Sequence, residues 1–139
     1  MQTPCSWTEW DGVRSIGYAQ PGVLRLESRN HNDITLRYPE LAGLNDALGA
    51  RRAVLDGEIV CFDDTGRPSF AALQHRMHIS TPARARALAQ TSPATYVIFD
   101  VLWLDGASLM GQPYAQRRDT LATLGLAGAH WRVPRLRPW

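Results

Sequence analysis

Lysine is absent from this sequence: all 15 basic residues among its 139 residues are arginine. A lysine amine becomes a nucleophile once it is deprotonated, whereas an arginine guanidinium stays protonated. Covalent catalysis through a lysine is therefore excluded for this chain. The N-terminal amine and four histidines are the nitrogen nucleophiles that remain.

Cysteine and long apolar runs are also scarce. Cys5 and Cys61 are too few for a disulfide framework and lack the spacing of a metal site. No apolar run approaches the length of a membrane span, and residues 1–7 lack the pattern of a secretory signal. These absences predict a cytoplasmic protein with no membrane partner. Cys61 lies in an apolar stretch and is predicted to be a small core residue.

The composition is that of a folded domain. Hydrophobic residues make up 45% of the chain, enough to bury a core. The length suits one modest domain or part of a larger one. The net charge of +2 permits a nucleic-acid partner without requiring one.

The first half of the chain predicts a hairpin, a helix and a strand. Residues 13–20 and 23–28 alternate apolar and polar side chains around a Pro-Gly turn, which is typical of a β-hairpin. Pro39 is predicted to begin a helix that ends near Gly49. Residues 53–62 form the next strand, which carries Asp56 and Glu58 inside an apolar stretch. Buried carboxylates need partners, so these two acids indicate a site, a metal ion or a structural arginine.

The second half predicts helices between two further strands. Ser69 is expected to cap a helix that reaches Met77 and points Phe70 and Leu73 inward. Residues 83–90 and 114–124 are predicted helices, 96–104 the most apolar strand, and 130–134 a last short strand. Arg117 and Arg118 are expected to face solvent. The order of elements predicts an α+β fold with a mainly antiparallel sheet and flanking helices.

A tight turn stands directly before the first strand, in the hexamer from Glu9 to Arg14. Asp-Gly favours such a turn because glycine accepts positive φ freely. The hexamer resembles the first motif of the covalent nucleotidyltransferases, which reads Lys, any residue, Asp, Gly, any residue, Arg. In that superfamily the lysine attacks the α-phosphate of ATP and carries AMP as a phosphoramidate. Asp11, Gly12 and Arg14 match the motif, and Glu9 stands at the lysine position.

Three later stretches resemble the same superfamily in the same order. They are Ser28-Arg29-Asn30, Asp56-Gly57-Glu58 and the strand from Tyr96 to Leu102. Together with the first motif they are similar to the ligase domain of bacterial end-joining ATP-dependent DNA ligases, over about residues 7–124. The resemblance implies that residues 1–139 form a partial, ATP-grasp-like nucleotidyltransferase domain, the adenylation domain of DNA ligases. It leaves no length for the family's oligonucleotide-binding-fold domain.

The resemblance implies roles for six residues in nucleotide binding: Asp11, Gly12, Arg14, Arg29, Glu58 and Phe99. Phe99 offers a flat face for adenine. Arg14 and Arg29 offer planar forks for ribose and phosphate oxygens. Glu58 is implied to hold the ribose hydroxyl or a Mg²⁺ ion, which prefers oxygen ligands. Without the family, the same residues read as a core phenylalanine, surface arginines and a buried partner for an arginine.

The departures from the family concern catalysis. Glu9 is an anion where the family has an amine, and it would repel the triphosphate. The family's downstream Glu-Gly strand and two-lysine strand have no counterpart, because no glutamate follows Glu58. The four histidines lie outside the matching loop.

The sequence therefore predicts a catalytically inactive relative of ATP-dependent DNA ligases. The family implies ATP and Mg²⁺ as cofactors and nicked or broken double-stranded DNA as partner, with functions in DNA repair and recombination. A partner chain could supply the missing half. Two alternatives remain open: a non-catalytic module that binds ATP, DNA or a partner, and an RNA ligase or capping-type nucleotidyltransferase.

Overall fold

The structure is a computed structural model that describes residues 12–135. Within that range the strands form one six-stranded sheet, and helices flank it. The strands are β1 (Val13–Gln20), β2 (Val23–Ser28), β3 (Ala53–Cys61), β4 (Ala94–Leu104), β5 (Ala107–Ser108) and β6 (Trp131–Arg132). The α-helices are α1 (Leu44–Leu48), α2 (Phe70–Gln74), α3 (Pro82–Thr91) and α4 (Tyr114–Thr123). The predicted α+β class is confirmed.

The sheet is antiparallel apart from one pair. Its order is β2-β1-β3-β4-β5, and β6 pairs in parallel with β4. The predicted hairpin of β1 and β2 is confirmed, with Gly22 at φ 81° in its turn. The central strands β3 and β4 place the Asp-Gly-Glu motif and Phe99 beside each other in the middle of the sheet.

One face of the sheet packs against the helices and forms the core. Leu26, Leu55, Ile59 and Ile98 are at most 1% exposed there. Cys61 is fully buried and free, as predicted. The opposite face, here called the outer face, carries the side chains that alternate with these core residues, and the motif residues lie on it.

The helices differ from the predictions in detail. The segment predicted as one helix from Pro39 begins as a 3₁₀ helix, Pro39–Gly43, and continues as α1. Ser69 caps α2 as predicted, because its Oγ accepts a hydrogen bond from the Ala72 amide. Phe70, predicted to point inward, is 38% exposed, because α2 is only five residues long and buries mainly Leu73.

A fully buried arginine joins the 3₁₀ helix to the start of β4. The Arg76 guanidinium donates to both carboxylate oxygens of Glu40 at 2.6 and 2.8 Å, and to the backbone oxygens of Arg37 and Ser92. Glu40 also accepts from the Ala94 amide at 2.7 Å. A buried charge is tolerated only when it is paired and hydrogen-bonded in this way.

Strand β2 is at the edge of the sheet, and the loop that follows it covers the C-terminal half of that edge. The Ile34 amide donates to the Leu26 carbonyl at 2.9 Å, and the Leu26 amide donates to Thr35 Oγ1 at 2.9 Å. Asp33 forms a bridge with Glu27. The loop thus satisfies the backbone groups of Leu26 that an edge strand leaves open. In residues 12–135, each helix is too short or too polar to cross a membrane.

Candidate functional site

The motif residues meet on the outer face, across three neighbouring strands. In the strand register Arg14 of β1 lies opposite Glu58 of β3, and Glu58 lies opposite Val97 of β4. Asp56 lies two residues before Glu58 and so shares its face. Glu58 is paired with Val97, and Asp56 with Asp100. The two pairs are two residues apart along β3 but three residues apart along β4. This bulge adds one residue to β4 beside the site.

Arg14 is the centre of the cluster. Its Nε and Nη2 donate to the two oxygens of Asp56 at 2.8 and 2.6 Å, the bidentate geometry of a strong ion pair. Its guanidinium carbon lies 5.1 Å from the centroid of the Phe99 ring, within cation–π range. The hydrogen bond to Asp56, and then the negative charges of Asp56 and Glu58, raise the pKa of Arg14, against the opposing effect of burial.

Gly12 and Glu58 fix the entrance of the chain into β1. The Gly12 amide donates to Glu58 Oε2 at 2.8 Å. A Cβ atom at Gly12 would lie 2.3 Å from the Ile59 carbonyl oxygen, so a side chain does not fit at this position. The close approach of the two backbones explains the glycine of the first motif. Glu9 and Asp11 lie outside the described residues.

Arg29 lies with Arg14 on a shared cleft. The cleft has a volume of about 300 Å³, and its lining includes Arg14, Ser28, Arg29, His31 and Asp56. Arg29 is exposed, and the side chain of Arg14 is 45% exposed. Two cations that border one cleft suit an anionic ligand. The structure thus places the arginines of two motifs together, and their roles in nucleotide binding stay predictions.

Phe99 is at the site but is not open to it. The residue is only 4% exposed, and Arg14 covers part of its ring. A base cannot stack on a ring in this arrangement unless a covering group moves. The open ring face that the predicted role requires is not present in this conformation, and the role of Phe99 in nucleotide binding stays a prediction.

Tyr96 crosses the core face of the sheet directly behind the site, a contact that the sequence motifs did not indicate. Its hydroxyl donates to the backbone oxygens of Ser15 and Leu55 at 2.8 and 3.3 Å. Its ring passes close to Gly17 and Gly57, where added Cβ atoms would lie 3.2 and 2.8 Å from ring atoms. Burial raises the pKa of Tyr96 well above its ordinary value. The small residue in the Asp-Gly-Glu motif therefore makes room for a tyrosine that ties β4 to β1.

Arg117 and Arg118, expected in solvent, both bind the strand that carries Phe99. Arg117 donates to the two oxygens of Asp100 at 2.8 and 3.1 Å, and its side chain is 17% exposed. Arg118 donates to the Phe99 carbonyl at 3.1 Å. The prediction was wrong because helical spacing alone does not reveal carboxylates and carbonyls on a strand that packs against the helix.

A metal site is not formed by protein groups alone in the part of the chain that the structure describes. No three side chains of His, Cys, Asp or Glu come together between residues 12 and 135. Asp56, the nearest carboxylate to Glu58 along β3, is already paired with Arg14. The residues do not fit a protein-only cage for Mg²⁺, and the role of Glu58 as a metal ligand stays a prediction.

Comparison with known proteins finds similarity over most of the chain. Residues 2–130 match the family described as ATP dependent DNA ligase domain. The chain is 38% identical over 130 residues to the multifunctional non-homologous end joining DNA repair protein LigD of Mycobacterium tuberculosis H37Rv, which covers 94% of this chain and 15% of LigD. It is 39% identical over 113 residues to DNA ligase C of the same strain, covering 81% of this chain and 31% of that ligase.

The structural comparison agrees. A mycobacterial DNA ligase D complexed with ATP and MES superposes with a TM-score of 0.77 at 38% identity, covering 93% of this chain and 38% of that one. The ligase domain of M. tuberculosis LigD superposes with a TM-score of 0.75. The chain therefore spans less than two fifths of the length of each relative and structure named here.

Proposed function

Because the chain belongs to the ATP-dependent DNA ligase domain family, we propose that it binds ATP at the outer-face site without forming a covalent adenylate. The observation that carries ATP binding is the meeting of Arg14, Glu58 and Phe99 across β1, β3 and β4. These residues come from three separate family motifs. Arg14 lies opposite Glu58 in the strand register, and its guanidinium lies over the Phe99 ring.

The residues divide the work of binding by their chemistry. Arg14 and Arg29 border the cleft as cations and would attract the phosphates and bind ribose or phosphate oxygens. Glu58 can accept a hydrogen bond from a ribose hydroxyl. Phe99 would provide an apolar face for the base, which contributes about 1–3 kcal/mol in comparable stacked contacts. Mg²⁺, as implied by the family, would accompany the ATP phosphates, which can supply most of its oxygen ligands.

The absence of lysine is the reason to propose that no adenylate forms. A phosphoramidate of the family type needs a lysine amine, and the 139 residues contain none. Glu9 matches the position of that lysine in the motif, and its carboxylate would repel the α-phosphate. Residues 59–139 contain no glutamate and no lysine, the residue types that stabilise charge in the family's transition state.

One experiment tests both parts of the proposal. The chain is incubated with Mg²⁺ and ATP labelled at the α-phosphate, binding is measured by calorimetry, and covalent label is measured after denaturation. We expect saturable binding, weakened at least tenfold by Arg14→Ala together with Glu58→Ala, and no covalent label. Absence of binding would refute the first part. Acid-labile label on the protein would refute the second and direct attention to the histidines and the N-terminus.

A second candidate, docking of a partner chain that supplies the rest of a ligase domain, is favoured by an apolar surface on the same outer face. This surface is formed by Ile16, Tyr18, Val54, Leu102, Trp103 and Met110. Met110 is 68% exposed and Tyr18 38%. An uncovered apolar surface next to a site is typical of an interaction surface.

The docking candidate has its own test. The segment of M. tuberculosis LigD that follows the matched part of its ligase domain is produced separately and mixed with this chain. We expect a complex on size-exclusion chromatography that Met110→Asp disrupts. Leu36→Asp is the matched control, because Leu36 is 66% exposed but lies outside the surface. Nicked or broken DNA as substrate, and a part in end-joining repair, are proposed only for such an assembly.

A further inference from the structure

Arg14 and Phe99 touch although their strands are not neighbours. Strand β3 lies between β1 and β4, so the Arg14 side chain must cross β3 to bring its guanidinium 5.1 Å from the Phe99 centroid. It crosses over Asp56, which lies on the same face of β3. The Arg14 side chain thus makes two interactions along this path, an ion pair with Asp56 and a cation–π contact with Phe99.

Asp56 is held in place by burial, whereas the Arg14 side chain has room to move. The Asp56 side chain is 10% exposed, whereas the Arg14 side chain is 45% exposed. The ion pair uses both carboxylate oxygens, which defines the plane of the guanidinium as well as its position. A strongly anionic ligand can compete with Asp56 for Arg14, because the Arg14 side chain is half-exposed.

We propose that Asp56 is a positioning residue that holds Arg14 as a latch over Phe99, and that ATP enters only when Arg14 leaves the ring. The inference rests on the proposed function, since it concerns the same site. Phe99 is 4% exposed with the latch closed, and Arg14 is also the cation that the phosphates or ribose would engage. Movement of Arg14 would uncover the part of the ring that it covers, and it would present the cation to the ligand.

Two alternatives predict different behaviour. If the Asp56–Arg14 pair serves only the stability of the sheet, its loss should not raise affinity for ATP. If the base stacks on the guanidinium while Arg14 stays over Phe99, the contact between the two residues should persist in the complex.

The first experiment detects the latch without relying on a binding constant. In the free chain, the Arg14 side-chain protons should show an upfield ring-current shift in NMR spectra that disappears in Phe99→Leu. We expect saturating ATP to remove this shift in the wild-type chain. We expect Asp56→Asn to reduce it without ligand. A shift that persists unchanged in the ATP complex would overturn the latch while leaving ATP binding itself established.

The second experiment measures the effect of the latch on affinity. Asp56→Asn should raise ATP affinity about 3- to 10-fold, because the closed state no longer competes. Removal of a negative charge could raise affinity by itself, so the substitution is repeated in Phe99→Leu, where the gain should fall below about twofold. Asp100→Asn is the matched control: Asp100 pairs with Arg117, which lies 5.4 Å from the Tyr114 ring. It should change affinity less than about twofold.

The remaining outcomes distinguish the latch from the proposed function. Binding by Asp56→Asn but not by the wild-type chain would support a latch that is closed at equilibrium. Weaker binding by Asp56→Asn, or an equal gain in both backgrounds, would overturn it. If neither the wild-type chain nor Asp56→Asn binds ATP while the ring-current shift is present, the proposed function is refuted. The Arg14–Phe99 contact would then exist but would not control ATP binding.

Discussion

Asp56 and Asp100 lie directly opposite each other in the register of β3 and β4, and each binds an arginine of its own. Like charges at opposed positions destabilise a sheet. Here Arg14 reaches Asp56 from β1, and Arg117 reaches Asp100 from α4. Each guanidinium also lies over an aromatic ring, Phe99 and Tyr114 respectively. The acids of two motifs are thus neutralised from opposite sides.

Removal of Arg117 should expose this repulsion. We expect Arg117→Met to lower the free energy of unfolding by about 1–3 kcal/mol, since it leaves a mostly buried carboxylate unpaired beside another. Urea denaturation measures the loss. Asp100→Asn in the same chain should recover part of it. An unchanged or larger loss in the double variant would show that Arg117 acts through packing and not through Asp100.

The glycine of the Asp-Gly-Glu motif should not tolerate a methyl group. A Cβ at Gly57 would lie 2.3 Å from the Val97 carbonyl oxygen and 2.8 Å from the Tyr96 ring. We expect Gly57→Ala to destabilise the fold by about 2 kcal/mol or more, because backbone atoms must move. Gly111→Ala is the control, since no atom lies within 4 Å of its added Cβ. Equal thermal stability of the two variants would contradict this account.

Removal of the buried Arg76 guanidinium should strongly destabilise the fold, because it is the cation that pairs with Glu40. Arg76→Met leaves Glu40 buried without its cation, and we expect a loss of about 3–5 kcal/mol in the free energy of unfolding. The exposed Arg84→Met should change stability by less than about 0.5 kcal/mol. A small effect at Arg76 in equilibrium denaturation would mean that Glu40 finds another partner or loses its charge.

We expect the free energy of unfolding to fall at alkaline pH because Cys61 is buried. Burial raises the pKa of this thiol from its ordinary 9.0 to about 11. Between these values the unfolded chain loses the thiol proton and the folded chain keeps it, so the contribution is complete below pH 9 and is lost as pH rises toward 11. Burial also raises the pKa of Tyr38, to about 12, which adds a similar loss above pH 10.

The comparison of wild type with Cys61→Val isolates the thiol. We expect the free energy of unfolding to fall more steeply between pH 8.5 and 10.5 in the wild-type chain, and Tyr38 contributes equally to both. In Cys5→Ser, where Cys61 is the sole cysteine, a thiol reagent at pH 8 should react only as fast as the chain opens. Parallel pH profiles would place the Cys61 pKa near its ordinary value.

Glu9→Lys tests whether the substituted nucleophile alone explains the proposed inactivity. The change replaces an anion by a cation at the position that matches the family's lysine in the motif, and we expect ATP affinity to rise by at most about tenfold, or 1.4 kcal/mol. We expect no sealing of nicked DNA, because a nucleophile must also be held in line with the α-phosphate. Efficient self-adenylation of this variant in the label assay would show that this step needs no downstream glutamate or lysine.

Sequence patterns predicted the strands and most helix positions, because alternation and turn residues are local signals. The hairpin at Pro21-Gly22 and the cap at Ser69 are examples. Contacts over long separations were not predictable. Arg14 and Asp56 are 42 residues apart, and Arg117 and Asp100 are 17 apart. Which acid meets which arginine depends on strand register and on the bulge beside Phe99, and neither has a signature in the composition.

The loop that folds back on β2 has a consequence for behaviour at high concentration. An uncovered edge strand can recruit the same strand of another molecule and seed fibrils or swapped dimers. Here Ile34 and Thr35 occupy hydrogen-bonding positions beside Leu26, and Asp33 places a charge at the border. The segment after the Ser-Arg-Asn element therefore also hinders pairing of β2 with a strand of another molecule at Leu26.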